Sequence, residues 1–279
     1  MKNLEFNQTL DRWPNVNEEG GLRLKENQTS LKQNKPLITI ITVVYNNEKY
    51  LEECLNSLYS QKENNFEHII IDGLSSDNTI KIIKKFENKI DYWFSQKDLG
   101  IYDAFNKGMI LARGKYLGFL NSDDILTSNS LKILKDYINK YPKKDFIFGS
   151  VRKHWGILHG YKPYKIYWSW GFYSSHSTGF YIKTESAKKV GFYNLKYKYS
   201  ADYDYFFRMI VKNKLKGIAT KKDELLGVFR RGGFSSTIDF YSHFCEEIKI
   251  RIDNKQNKLL ILIIFIYKFI KNIKKLWKY

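Results

Sequence analysis

Two adjacent carboxylates, Asp123 and Asp124, follow the apolar run Tyr116–Leu120 with only Asn121 and Ser122 between. Paired hard oxygen ligands in such a place suit Mg²⁺ or Mn²⁺ holding a diphosphate. The same dipeptide after a strand also serves as a turn with a helix cap. Asp72 closes the run Ile69-Ile70-Ile71 and opens a Gly-x-Ser-Ser-Asp turn. A single acceptor there can take the imide N–H of a pyrimidine and so select uracil, or the acids can simply cap the next helix. Asp98, Gly100, Asp103 and Asn106 surround a helix start within Asp98–Gly108. Such a start attracts phosphate, although no dinucleotide glycine fingerprint is present and an ordinary capped helix explains the segment equally well. Asp202 and Asp204 open an aromatic helix within Ser200–Arg208. A general base must stay ionised beside its pocket, which a helix N-terminus favours; N-capping is the plain alternative. His176 and the loop Arg230-Arg231-Gly232-Gly233 are polar sites that say little alone.

These residues need a frame. Leu37–Tyr45 is almost wholly apolar and β-branched, as a central strand covered on both faces must be. A helix with Leu51, Cys54, Leu55 and Leu58 on one stripe follows, then a strand at Phe66–Ile71. Ser76-Asp77-Asn78 reads as the cap of a helix that turns Ile80, Ile83 and Phe86 inward. The alternation continues with strands near Tyr92–Ser95, Lys115–Leu120 and Asp145–Gly149, and with helices at about Tyr102–Ala112 and Asn129–Asn139. Strands alternating with helices of this length predict an α/β fold with a Rossmann-like, mostly parallel central sheet flanked by helices. Ligands of such sheets bind beyond the carboxyl ends of the strands. Val43, Tyr45, Asn46 and Glu48 lie at the first of those ends, Asp72 at the second, and Asn121 to Asp124 at a third.

Composition limits what the frame can be for. Among 279 residues, 47 Lys+Arg oppose 29 Asp+Glu, a formal net charge of +18. A disordered polycation is excluded, because 19 Phe, 21 Tyr and 6 Trp can build a core. Cys54 and Cys245, far apart and expected on apolar helix faces in the core, exclude a disulfide scaffold and a zinc ribbon. The charge is concentrated late: eight basic residues and one acid lie between Arg251 and Tyr279. Residues 1–35 are polar with no apolar signal segment, so the expectation is a cytoplasmic start and an extension that packs on the domain or stays mobile. Leu259–Tyr267 is too short to span a bilayer, which takes about 20 apolar residues. Residues 36–256 are expected to form the main domain and residues 257–279 a basic amphipathic tail. In that tail Ile266, Phe269, Ile270, Ile273 and Trp277 fall at helical spacing, with Lys268, Lys271, Lys274, Lys275 and Lys278 as cationic positions. Such a helix can lie on an anionic leaflet, at the inner face of the cell membrane, or close the domain's own core.

In order, the segments Ile38–Leu51, Ile69–Thr79, Asp98–Gly108, Gly114–Asp124, Ser200–Arg208 and Phe229–Ser235 resemble family 2 inverting glycosyltransferases of the GT-A fold. The likeness covers about Gly21 to Ser236 and is strongest to the branch that builds colanic acid and O-antigen. The resemblance implies a UDP-sugar donor, a divalent metal (Mn or Mg) and a lipid-linked or surface-polysaccharide acceptor. It places Tyr45, Asn46, Glu48 and Asp72 at the uridine, Asp123 first and Asp124 second at the metal, and Asp202 as catalytic base. His176, Asp204, Arg208, Arg230 and Arg231 should then shape the donor and acceptor pocket. The chain departs from the family pattern at Asn121 and Gly73, where many relatives carry Asp. Two other classes compete. A basic nucleotide- or nucleic-acid-binding protein would show a steep salt dependence, but the aromatics here lie in apolar patterns, so nucleic acid is not an expected partner. A nucleotidyltransferase would need a lysine-bearing, Gly-rich triphosphate loop, which the chain lacks. No oligomeric state follows from these patterns.

Overall fold

The computed structural model describes residues 12–25, 35–168, 177–230 and 239–276, without the side chains of 274–276. In chain order the strands are β1 (Glu18–Gly20), β2 (Ile38–Val44), β3 (Phe66–Asp72), β4 (Tyr92–Ser95), β5 (Tyr116–Asn121) and β6 (Ile125–Leu126). They continue as β7 (Phe146–Phe148), β8 (Ser150–Lys153), β9 (Gly156–Leu158), β10 (Phe180–Lys183), β11 (Gly217–Ala219) and β12 (Leu225–Val228). The helices are α1 (Leu51–Tyr59), α2 (Thr79–Lys85), α3 (Ile101–Leu111), α4 (Ser130–Lys140), α5 (Lys165–Trp168) and α6 (Thr184–Val190). After them come α7 (Ala201–Phe207), α8 (Phe240–Asp253) and α9 (Lys258–Leu276).

The larger sheet runs β1-β4-β3-β2-β5-β10-β7-β11. Its centre is parallel, with β2 between β3 and β5, and β4 parallel to β3; β1 and β10 run antiparallel to their neighbours. Every residue of β2 is buried, as its continuous β-branched run requires. A second sheet, β6-β12-β8-β9, stands beside the first. Helix α3 lies close on the sheet because Gly108 faces Ile41; a Cβ there would come within 2.3 Å of the Ile41 Cγ2.

Residues 12–25 complete the sheet. β1 pairs along β4, and Trp13 is buried with its ring 5.7 Å from that of Phe94. Arg23 is buried on Glu67 at 2.5 Å, and Glu67 also accepts from the Thr39 hydroxyl and the Arg113 N–H. A buried charge needs an opposite charge of this kind beside it.

Three expectations change. Cys54 is buried, but Cys245 is exposed, on the outer side of α8. In α2 the inward residues are Thr79, Ile82 and Ile83, while Ile80 and Phe86 are only half-buried. Lys268 is not a surface cation: it is buried and paired with Glu247, which also holds the fully buried Arg251 at 3.0 Å. That pairing, with Ile261 and Ile264 buried and the Phe244 and Phe265 rings stacked at 5.4 Å, docks α9 on α8. The opposite side of α9 stays open, with Leu259, Leu262, Ile263, Ile266, Phe269, Ile270 and Ile273 exposed. Among the described residues no helix is long and apolar enough to cross a membrane.

Replacing Glu247 by Gln leaves two cations facing each other in the α8–α9 contact. A loss of about 3–5 kcal/mol is expected on breaking such a buried pair. Urea unfolding should show a lower midpoint for Glu247→Gln than for Lys268→Met, which removes charge and keeps apolar bulk.

Candidate active site

The carboxyl ends of β2, β3, β4 and β5 share one edge, and their loops are laced together. Val43 is buried under that edge and Tyr45 stands out from it, 65% exposed. Asn46 adopts a left-handed backbone (φ 47°), which Asn tolerates better than most residues. It donates its N–H to the Ser75 hydroxyl at 2.8 Å, and its Oδ1 accepts from Ser76 N–H at 2.8 Å. Glu48 accepts from the Asn78 N–H and side-chain amide. Asn47 donates to the Ser122 hydroxyl at 2.9 Å, joining the first loop to the third. Asn46 and Glu48 are thus tied to the loop after β3, and Ser122 to Asn47 in the loop after β2.

Asp72 stands at the end of β3. It is fully buried, and its oxygens accept from the N–H groups of Leu74 and Ser75 and from the hydroxyls of Ser75 and Ser95 at 2.5–3.1 Å. It pins the turn. Asp103 and Asn106 are also tied into the fold. Asp103 is buried, accepts from Leu99 N–H and pairs with Lys107 at 3.3 Å. Asn106 clamps the backbone of Tyr193 in both directions, at 2.9 and 2.8 Å. Gly100 supplies the helix N-cap at φ 113°, where a side chain would be strained. Asp98 remains at the edge, half-buried, with Oδ1 accepting from Gly100 N–H. Burial raises its pKa, against the Gly100 N–H and Lys107, which lower it.

The two acids after β5 have separate parts. Asp124 is buried; it accepts from the Arg230 N–H at 3.1 Å, the Thr178 hydroxyl at 2.6 Å and the Asn121 amide at 3.3 Å. Asp123 is only half-buried, and its backbone carbonyl accepts from Arg230 Nε. Arg230 also reaches Glu53 at 2.5 Å and lies 4.4 Å over the Tyr50 ring, so it closes the site's side. Cys54 beneath them is inert: burial pushes its thiol well above the usual range, and Asp124 and Asp123 push further.

Asp202 opens α7 from the other side. Its Oδ1 accepts from Tyr203 N–H at 2.8 Å and lies 3.3 Å from the Tyr102 hydroxyl. Asp204 and Arg208, expected in the pocket, instead hold the fold: Asp204 is buried between Arg208 Nε and the Asn254 amide, both at 2.8 Å. Arg208 spends its remaining donors on the carbonyls of Val190 and Phe192. His176 and Arg231 lie outside the described residues.

Two site residues had no motif to mark them. Tyr102 belongs to α3 and meets Asp202; Lys153 ends the short strand β8. Lys153 is half-buried, 4.5 Å over the Phe229 ring; burial lowers its pKa while Asp124 and Asp202 raise it. Its ammonium therefore feels acids from both halves of the chain at once. Among the described residues there is no cluster of three His, Cys, Asp or Glu able to hold a metal unaided. Asp123 with the oxygens of a bound diphosphate still makes a fitting Mg²⁺ or Mn²⁺ set, because such ions commonly take one or two carboxylates and substrate phosphates.

Comparison with known proteins bears on the family and the fold. An uncharacterized glycosyltransferase of Rickettsia typhi is 28% identical over 195 residues, 64% of this chain and 61% of the relative's length. Among solved structures, S. aureus TarS 1-349 in complex with UDP-GlcNAc superimposes with a TM-score of 0.63 at 20% identity, covering 82% of this chain and 70% of the other. The mannosyltransferase PcManGT of Pyrobaculum calidifontis, in complex with GDP-Man and Mn²⁺, gives 0.57 at 14% identity, with coverages of 79% and 63%. These likenesses show the GT-A type of α/β fold. The sequence pattern of Glycosyl transferase family 2 matches residues 39–206, more than half of the chain, and the protein belongs to that family.

Proposed function

We propose that the protein is an inverting glycosyltransferase that moves a sugar from a UDP-sugar to a lipid-linked or surface-polysaccharide acceptor of the colanic-acid or O-antigen kind. The observation that carries the reading is the convergence on Lys153 of Asp202 and of Asp124, the neighbour of Asp123 after β5, at the carboxyl edge of a parallel sheet. The UDP-GlcNAc held by TarS, on the same fold, supports the choice of donor.

The chemistry is a single displacement. Asp202, fixed by Tyr203 N–H and facing Tyr102, takes the proton of an acceptor hydroxyl. The freed oxygen attacks the anomeric carbon as the bond to the diphosphate breaks on the opposite face. The nucleoside diphosphate departs with the bonding electron pair, and the configuration inverts. Asp123 would hold a divalent cation together with the donor's phosphates, and that cation, when bound, supplies positive charge against the leaving group. Asp124 keeps Asp123 at the edge by fixing the turn behind it. Lys153 adds a protein cation over the same floor.

The open apolar side of α9 and its exposed Lys258 and Lys271 fit a peripheral position on an anionic, cytoplasmic membrane face. Binding there would bring a lipid-linked acceptor to the site.

Two experiments test the reading. With a UDP-sugar panel, Mn²⁺ or Mg²⁺ and candidate acceptors, Asp202→Asn should bind UDP normally while transfer falls about 10²–10⁴-fold, the usual worth of a general base. Transfer at the wild-type rate would sink the base assignment. For the tail, liposome flotation should be lost when Leu262, Ile266 and Ile270 are changed together to Glu, and lessened by salt in the wild type. Flotation unchanged by the triple substitution would refute the membrane role of α9.

A further inference from the structure

Helix α5 is a single turn, yet its backbone is fastened to two other helices. Ile166 is buried, and its carbonyl accepts from the Tyr203 hydroxyl of α7 at 3.0 Å. The Tyr167 carbonyl accepts from Arg251 Nη1 at 3.0 Å and from Gln256 Nε2 at 2.9 Å, where α8 passes into α9. These bonds use main-chain atoms of α5, and the aromatic side chains face out: Tyr164 is 59% exposed, Tyr167 40% and Trp168 58%. Lys162 and Lys165 are exposed among them. Just beyond Gln256, the open apolar side of α9 begins with exposed Lys258 and Leu259. No acid occurs from Phe146 to Thr184, nor after Asp253. The aromatic ledge of α5 and the apolar side of α9 therefore adjoin at the α8–α9 link, and both segments carry positive charge alone.

We propose that Tyr164, Tyr167 and Trp168 are a second membrane contact, a ledge that sits among the headgroups of an anionic leaflet while the open side of α9 lies in its surface. This rests on the peripheral-membrane reading of α9 above. Tyr and Trp suit that depth, because each presents an apolar body with one polar group that stays wet. The lysines between them add attraction to anionic headgroups, and no acid of the segment opposes it. A lone surface helix leaves the body of the protein free to swing about it; a second contact at its end removes that freedom. Because Ile166 holds Tyr203, whose N–H fixes Asp202, the ledge also sets the height of Asp202 above the leaflet. An acceptor hydroxyl carried on a lipid stands at its own fixed height, so the two would be brought into register.

Side-chain changes on α5 leave its main-chain bonds in place, so the ledge can be removed without unfolding the turn. The full chain is titrated with vesicles of phosphatidylcholine and phosphatidylglycerol, and then with vesicles containing brominated phosphatidylcholine, which quenches tryptophan on contact. The double variant Tyr164→Ser with Trp168→Ser should bind vesicles about 10–100-fold more weakly than the wild type at an unchanged urea midpoint. Trp168→Phe should keep most of the affinity and lose part of the quenching by brominated lipid. Wild-type vesicle affinity in the double variant, with quenching unchanged in Trp168→Phe, overturns the α5 contact alone and leaves that of α9 standing. Wild-type vesicle affinity joined to weakened binding of a soluble oligosaccharide assigns the ledge to a glycan and likewise overturns it. A wild type that does not bind these vesicles overturns the membrane reading of α9 and the ledge with it.

Discussion

The carboxylate of Asp124 is the joint on which the site depends. It is buried where β5 leaves the large sheet, and it receives donors from three separate segments: Asn121 before it, Thr178 ahead of β10 and the backbone of Arg230 after β12. Burying a carboxylate is expensive unless every lone pair finds a donor, so these segments must come together for any of them to be stable there. The joint fastens the second sheet to the first. It thereby brings β8 and its Lys153 over the same edge as Asp124 and Asp202.

A division of labour follows among residues that look alike in sequence. Asp72, Asp103, Asp124 and Asp204 are buried and hydrogen-bonded within the fold; Asp98, Asp123 and Asp202 are half-buried at the edge. The first group fixes loops and helix ends, and the second meets the open side. Acids of a binding site need neighbours whose orientation is already determined, and here those neighbours are other acids.

Much of the frame was legible because its signals are local. The wholly buried β2, the largely buried β3 and β5 and the stripe of α1 follow from apolar, β-branched content and helical spacing. The site was legible as segments, less so as side chains. A strand-end Asp reads the same whether or not its own turn donates to it, and only the structure shows that Leu74, Ser75 and Ser95 donate to Asp72. The same ambiguity put Asp204 and Arg208 in the pocket, whereas they pair with each other and with the 190–192 backbone. Lys153 lies on a four-residue strand with no periodicity to mark it, and β1, with its Glu-Glu-Gly sequence, exists because β4 offers an edge to pair with. In α9 the spacing of apolar residues was correct, but a buried partner, Glu247, turned Lys268 inward.

The self-contained turn of Asp72 has a bearing on how such a chain can diversify. Since its carboxylate is satisfied by Leu74, Ser75 and Ser95, the loop keeps its form whatever stands opposite. Ligand-facing side chains around it can then be exchanged one at a time, without passing through an unfolded ancestor. A turn that carries its own hydrogen bonds thus gives the strand edge around it evolutionary freedom.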